Sequence, residues 1–187
     1  DYALAASGRL VRKIGGQPVN SYQPKGVWEE ASFGKKTYRQ GSGDALYRRS
    51  IYTFWRRIAA PTMIFDNADR MTCSVISYRT NTPLHALNTL NNTTYVEAAR
   101  LLAASVLKEK LSEQETLAKI YQRVVTRLPR ARETPILLAG LNRDRQQFAA
   151  NNGNAISFLG VGETPVDPSL DPVELASWTN LCIAVLN

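Results

Sequence analysis

The sequence predicts a mainly α-helical protein, with a bundle of short helices in its second half and a small β-hairpin and long ordered loops in its first half. Three observations predict it. Beyond residue 80, apolar residues recur at helical spacing between well-marked caps. Between residues 9 and 45, Gly15, Gly16, Pro18, Pro24 and Gly26 punctuate the chain as turns. Between residues 37 and 55, a run rich in aromatic and β-branched residues follows a glycine-rich turn. A chain of 187 residues can bury one substantial core. We read residues 1–187 as a single domain, with 1–80 the loop and hairpin half and 81–187 the helical half. No apolar run approaches the roughly 20 residues that span a bilayer, and no signal peptide is recognisable. DYALAASGRL reads as the end of a helix and LCIAVLN stops in mid-pattern, so a fragment of a larger multi-domain protein is expected.

Residues 1–7 read as a helix tail stopped by Gly8. Val27 to Glu30 reads as a short helical turn, with Trp28 anchoring the loop. The hairpin pairs Thr37–Arg39 with Leu46–Trp55 across Gln40–Asp44; aromatic residues on both faces of the second arm argue for burial, and a helix is the competing reading. Ala59-Ala60-Pro61 breaks the run. Asp66-Asn67-Ala68-Asp69-Arg70 is a polar turn with two carboxylates three apart, as a metal or acid–base site would need. The EF-hand offsets are absent, and an Asx cap by Asp66 with an Asp–Arg pair is the favoured reading of the turn.

Thr82-Pro83 is a helix start: a threonine cap, then a proline whose missing N–H leaves nothing unsatisfied. That helix runs to about Leu90, with Leu84, Leu87 and Leu90 on one side. Asn91-Asn92-Thr93 interrupts it, and Thr94 with Glu97 reads as a capping box opening a helix from Tyr95 to about Lys110. Ser112 with Glu115 opens the next, to about Arg127, and Pro129 closes it. Thr134-Pro135 starts another to about Ala150, stopped by Asn151-Asn152-Gly153. Ala155 to Leu159 is a short turn of helix, Gly160 to Asp171 a loop. Asp171-Pro172-x-Glu174 starts the last helix, through Val185.

The charge is lopsided. Residues 1–100 carry 14 Lys and Arg against 7 Asp and Glu, while residues 101–187 carry 9 of each. The excess favours an anionic partner: a nucleic acid, an acidic glycan, an acidic protein face or another part of the same chain. Nucleic-acid footprints cluster Lys and Arg more densely, which makes nucleic acid the weakest of these. Cys73 and Cys182 form no CxxC or CxxCH, so neither a zinc ribbon nor covalent haem is encoded; spacing leaves a bridge between them open. The single histidine, His85, sits in a first helical turn where the dipole disfavours its charged form. Triads and histidine-based metal sites therefore have little to work with.

LYRRSIYTFWRR (46–57), FDNADR (65–70), RTNTPLHAL (79–87) and LNNTTYVEAARLLA (90–103) resemble a planctomycete-specific family of unknown function, the PSD-type domain found with the planctomycete cytochrome C domain. SGRLVRKIGG, YQPKGVWEE, RLPRARE, GETPVDPSLDPVELASWT and the final VLN match it too. The resemblance implies an exported protein whose haem-binding domains lie upstream, with no cofactor in this chain, and it carries no reaction to any residue. His85 stands where the family more often has glutamine. Asn92 stands where aspartate is usual, which suits a cap.

The ligand-binding candidates are Arg48, Arg49, Tyr52, Trp55, Arg57, Asp66, Asp69, Arg70, Arg79 and Asn81. Guanidiniums interleaved with aromatic rings can grip sulfate or carboxylate in a fork and stack on sugars. The same groups read first as an arginine–aromatic network that holds loops together by capping carbonyls. The leading expectation is an interaction or scaffold domain that binds upstream domains of its own protein or an anionic polysaccharide. The rival is a polysaccharide-processing enzyme with Asp66, Asp69 and Arg70 in its site.

Overall fold

The computed structural model describes residues 1–54, 75 and 82–187. Among them the chain is mainly helical: α1 Tyr2–Ala6, α2 Val27–Ala31, α3 Pro83–Asn91, α4 Thr93–Leu107, α5 Glu113–Val125, α6 Glu133–Ala150, α7 Asn152–Leu159 and α8 Pro172–Leu186. It divides into two compact units, one of Asp1–Leu10 with Leu90–Asn187 and one of Val11–Thr89.

The first unit is a helical bundle around α8. Sequence position predicts little of this: α8 is the last helix, yet it packs on α4, α5, α6 and α7. Its composition explains why, because Leu175, Ala176, Trp178, Leu181, Cys182 and Ile183 are all buried, on more than one face. A helix apolar all round belongs inside a bundle. Leu102, Ala103 and Val106 of α4 and Leu117, Ile120 and Val124 of α5 complete the core. α1 packs on α4 and α5, and the Tyr2 hydroxyl donates to the Val124 carbonyl. Cys182 is a fully buried free thiol, and Cys73 lies outside the described residues. Burial pushes that thiol far above its ordinary range.

The caps follow local hydrogen bonding. Ser112 and Glu115 form the reciprocal capping box predicted for α5. Asp171 Oδ1 accepts from Glu174 N at 2.8 Å, with Pro172 opening α8. Thr82 Oγ1 accepts from His85 N at 3.1 Å. Two starts differ from expectation. α4 is capped by Asn92, whose side chain accepts from Thr94 N at 2.9 Å, and Glu97 is not part of a box but buried. α6 begins at Glu133 with no side-chain cap from Arg132. There the Glu133 carboxylate itself takes the Arg130 N–H at 2.7 Å and both Arg127 nitrogens at 2.7 and 2.8 Å. Asn151, expected to be part of a stop, also caps α7 through Asn154 N.

The Glu133 knot has a pH signature. The Arg127 guanidinium and the Arg130 N–H hold its carboxyl at about 2, below the ordinary 4.5. A depressed carboxylate stabilises the fold above its unfolded pKa, and that contribution fades as pH falls from about 4.5 through about 2. Melting of wild type and Glu133→Gln is therefore expected to differ by a constant amount from pH 5 to 7 and to converge below about pH 4.5. A gap unchanged down to pH 2 contradicts the assignment.

The second unit has no β-hairpin among its described residues. Gly43–Tyr47 and Ser50–Tyr52 are 3-10 turns, where the second arm was expected. This segment pairs instead with residues 11–19, through isolated parallel bridges Val11 to Arg48 and Val19 to Thr53. Val11 N donates to Tyr47 O, Val19 N to Tyr52 O and Phe54 N to Val19 O, at 2.7–2.9 Å. Its aromatic residues are fixed by ring packing: Trp28 lies 5.2 Å from Tyr38 and 5.9 Å from Phe54. Among its described residues, Trp28, Leu46 and Tyr47 are the buried apolar ones. In α3 the predicted stripe of Leu84, Leu87 and Leu90 is exposed.

Candidate functional site

Arg48 and Tyr52, both singled out by the sequence, do come together. The guanidinium lies 3.8 Å above the Tyr52 ring. Its Nη2 donates to Gly15 O at 2.6 Å and Lys13 O at 2.9 Å, and its Nη1 to Gln17 O at 3.3 Å. The Tyr52 hydroxyl accepts from Gly15 N at 2.8 Å. An arginine whose donors face three carbonyls and whose flat face rests on a ring holds a loop; it offers no free fork to a ligand. Arg49 is exposed and stands at the start of the Ser50–Tyr52 turn. Trp55, Arg57, Asp66, Asp69, Arg70, Arg79 and Asn81 lie outside the described residues, as does the Asp66–Arg70 turn.

What the clamp holds out is more informative. The Val11–Thr89 unit carries 12 Lys and Arg against 5 Asp and Glu, and the other unit 11 against 11. The whole +7 of the protein thus belongs to Val11–Thr89. Arg12, Lys13, Lys25, Lys35, Lys36 and Arg39 are exposed, and none stands in an ion pair among the described residues. In the neutral unit several cations are paired: Arg145 grips Glu174 and Glu113, Arg123 and Lys119 share Glu109, and Arg127 holds Glu133, while Lys110, Arg132 and Arg143 stand exposed against an equal number of acidic residues overall. Cations left without carboxylates project a field that steers and holds anions.

The neutral unit contains a cleft of about 710 Å³, lined by Gly8, Arg9, Leu101, Ala104, Lys108 and the Thr164–Pro168 loop, among others. Its polar groups already have work. Arg100, buried on α4, donates to Thr164 O at 2.6 Å and Pro165 O at 3.3 Å. Glu97, one turn earlier, accepts from Thr164 N at 2.7 Å and lies 3.8 Å from Arg100. Lys108 meets Asp167 at 2.5 Å; that ammonium, with Ser169, holds the Asp167 carboxyl well below the usual range. The Ser7 and Ser105 hydroxyls donate to Leu4 O and Leu102 O, so neither is poised by a base. Among the described residues no group of three or more His, Cys, Asp or Glu is placed to hold a metal ion, and no helix is long and apolar enough to cross a membrane.

Sequence reasoning missed two loop tips. Ile14, 87% exposed, follows Arg12 and Lys13 and precedes Gly15 and Gly16; Phe33, 93% exposed, precedes Gly34, Lys35 and Lys36. The signal was present: an apolar residue beside two cations and a glycine, inside a loop with no strand or helix to bury it.

A family model described as PSD1, protein of unknown function (DUF1553), matches residues 1–141. The matched stretch includes all of Val11–Thr89 and ends within α6, so the GETPVDPSLDPVELASWT motif lies outside it. No curated protein and no solved structure matches the chain.

Proposed function

The chain belongs to the PSD1 family of proteins of unknown function (DUF1553), and from that premise we propose that it is a non-catalytic interaction domain whose Val11–Thr89 unit engages an anionic partner. The observation that carries this reading is the placement of charge: all of the +7 excess sits in one unit, with six exposed cations that stand in no ion pair among the described residues. A sulfated polysaccharide is one such partner and supplies the probe. We also keep as proposals export of the protein and a cytochrome-type domain elsewhere in it, both of which rest on the sequence resemblance.

The test is titration of the chain with fluorescent heparin at rising salt. Binding that weakens linearly in log affinity against log salt, with a slope of several ions, supports the reading. No binding at about 50 mM salt, where the Debye length exceeds 10 Å, sinks it. Equally tight binding to duplex DNA and heparin, with the same slope, identifies a general polyanion site.

A further inference from the structure

We propose that the two loop tips Arg12–Gly16 and Phe33–Lys36 seat the Val11–Thr89 unit on an anionic lipid surface. The inference rests on the interaction reading above and names the partner. Each tip has the same composition in a different order: one large apolar side chain almost wholly in water, two adjacent cations, and glycine. Phe33 is held in the left-handed region at φ 53, followed by Gly34 at φ 76. An aromatic residue rarely adopts that conformation.

Both tips are closed by their own hydrogen bonds, so the side chains are presented and not merely loose. Gly34 N donates to Glu29 O at 2.7 Å and Lys36 N to Ser32 Oγ at 2.9 Å. The first tip is held by the Arg48 clamp. Both are tied to one segment: Gly15 bonds to Tyr52, and Phe54 stacks on Trp28 of α2, whose end leads into Phe33.

The chemistry selects the partner. Lys and Arg beside an anionic leaflet contribute by charge, while an apolar side chain between them sinks below the headgroups. A polysaccharide offers the anions and no apolar phase for Ile14. A protein face would need two pockets matched to two separate tips, whereas a fluid surface accepts both without shape complementarity.

The experiment is sedimentation of the full chain with large vesicles of phosphatidylcholine containing about 30% phosphatidylglycerol, against pure phosphatidylcholine. Expected is binding to the anionic vesicles only, weakened about tenfold or more in Ile14→Ser/Phe33→Ser, with heparin affinity unchanged. A second variant, Phe33→Trp, is expected to show fluorescence quenching by brominated acyl chains beyond that of wild type. Anionic-vesicle binding that the double serine variant retains, or no added quenching, overturns the inference. Heparin binding without vesicle binding overturns it too and leaves the interaction reading standing. Failure to bind either removes both.

Discussion

Gly162→Ala is expected to cost about 3 kcal/mol of stability, a melting loss of roughly 6–12 °C. Gly162 adopts φ +97, and a Cβ there would stand 2.4 Å from Glu97 Cδ. The end of a glutamate side chain is ordinarily cheap to move. This one is not, because its carboxylate is buried, bonded to Thr164 N and beside the equally buried Arg100. Swinging it aside strands a charge in the bundle, the expensive way to disturb such a pair. In a Glu97→Ala background the clash is gone, and the glycine replacement should cost only the backbone strain, about 1–2 kcal/mol. Equal costs in the two backgrounds, measured by urea unfolding, would show that Glu97 is not what Gly162 makes room for.

Lys13→Glu/Lys35→Glu/Lys36→Glu is expected to lose at least about 100-fold in affinity for heparin at low salt. Each cation near an anionic surface contributes about 1 kcal/mol, so three removals give roughly that factor before the added repulsion is counted. All three side chains are exposed and outside any ion pair among the described residues, so stability should stay within about 0.5 kcal/mol of wild type per substitution. The slope of log affinity against log salt should fall as well, because fewer counterions are displaced.

The helix ends were legible where the partners are close in sequence. Ser112 with Glu115, Asp171 with Glu174 and Thr82 with His85 each close a hydrogen bond within one turn. The hairpin was not legible, because aromatic and β-branched residues signal a half-buried surface more than a strand. In residues 46–54 that signal is met by ring packing on Trp28 and by parallel bridges to Val11 and Val19. The role of Arg48 was likewise out of reach: the carbonyls it holds lie 31–35 residues away. Glu97 was read as a capping residue because Thr94 stands three before it; its actual partner, Thr164, is 67 residues distant. The site reading shifted for a related reason. Sequence drew attention to the densest arginines, whereas the exposed lysines beside Ile14 and Phe33 sit in segments that read as plain turns.

The proposed interaction surface depends on the placement of charge and not on its total. The most direct measurement compares Lys13→Glu/Lys35→Glu/Lys36→Glu with Lys110→Glu/Arg132→Glu/Arg143→Glu, which alters exposed cations of the neutral unit. Each takes the net charge from +7 to +1. In a heparin titration at one salt concentration, the first variant should lose at least about 100-fold and the second less than about fivefold. Equal losses in the two variants would contradict the account.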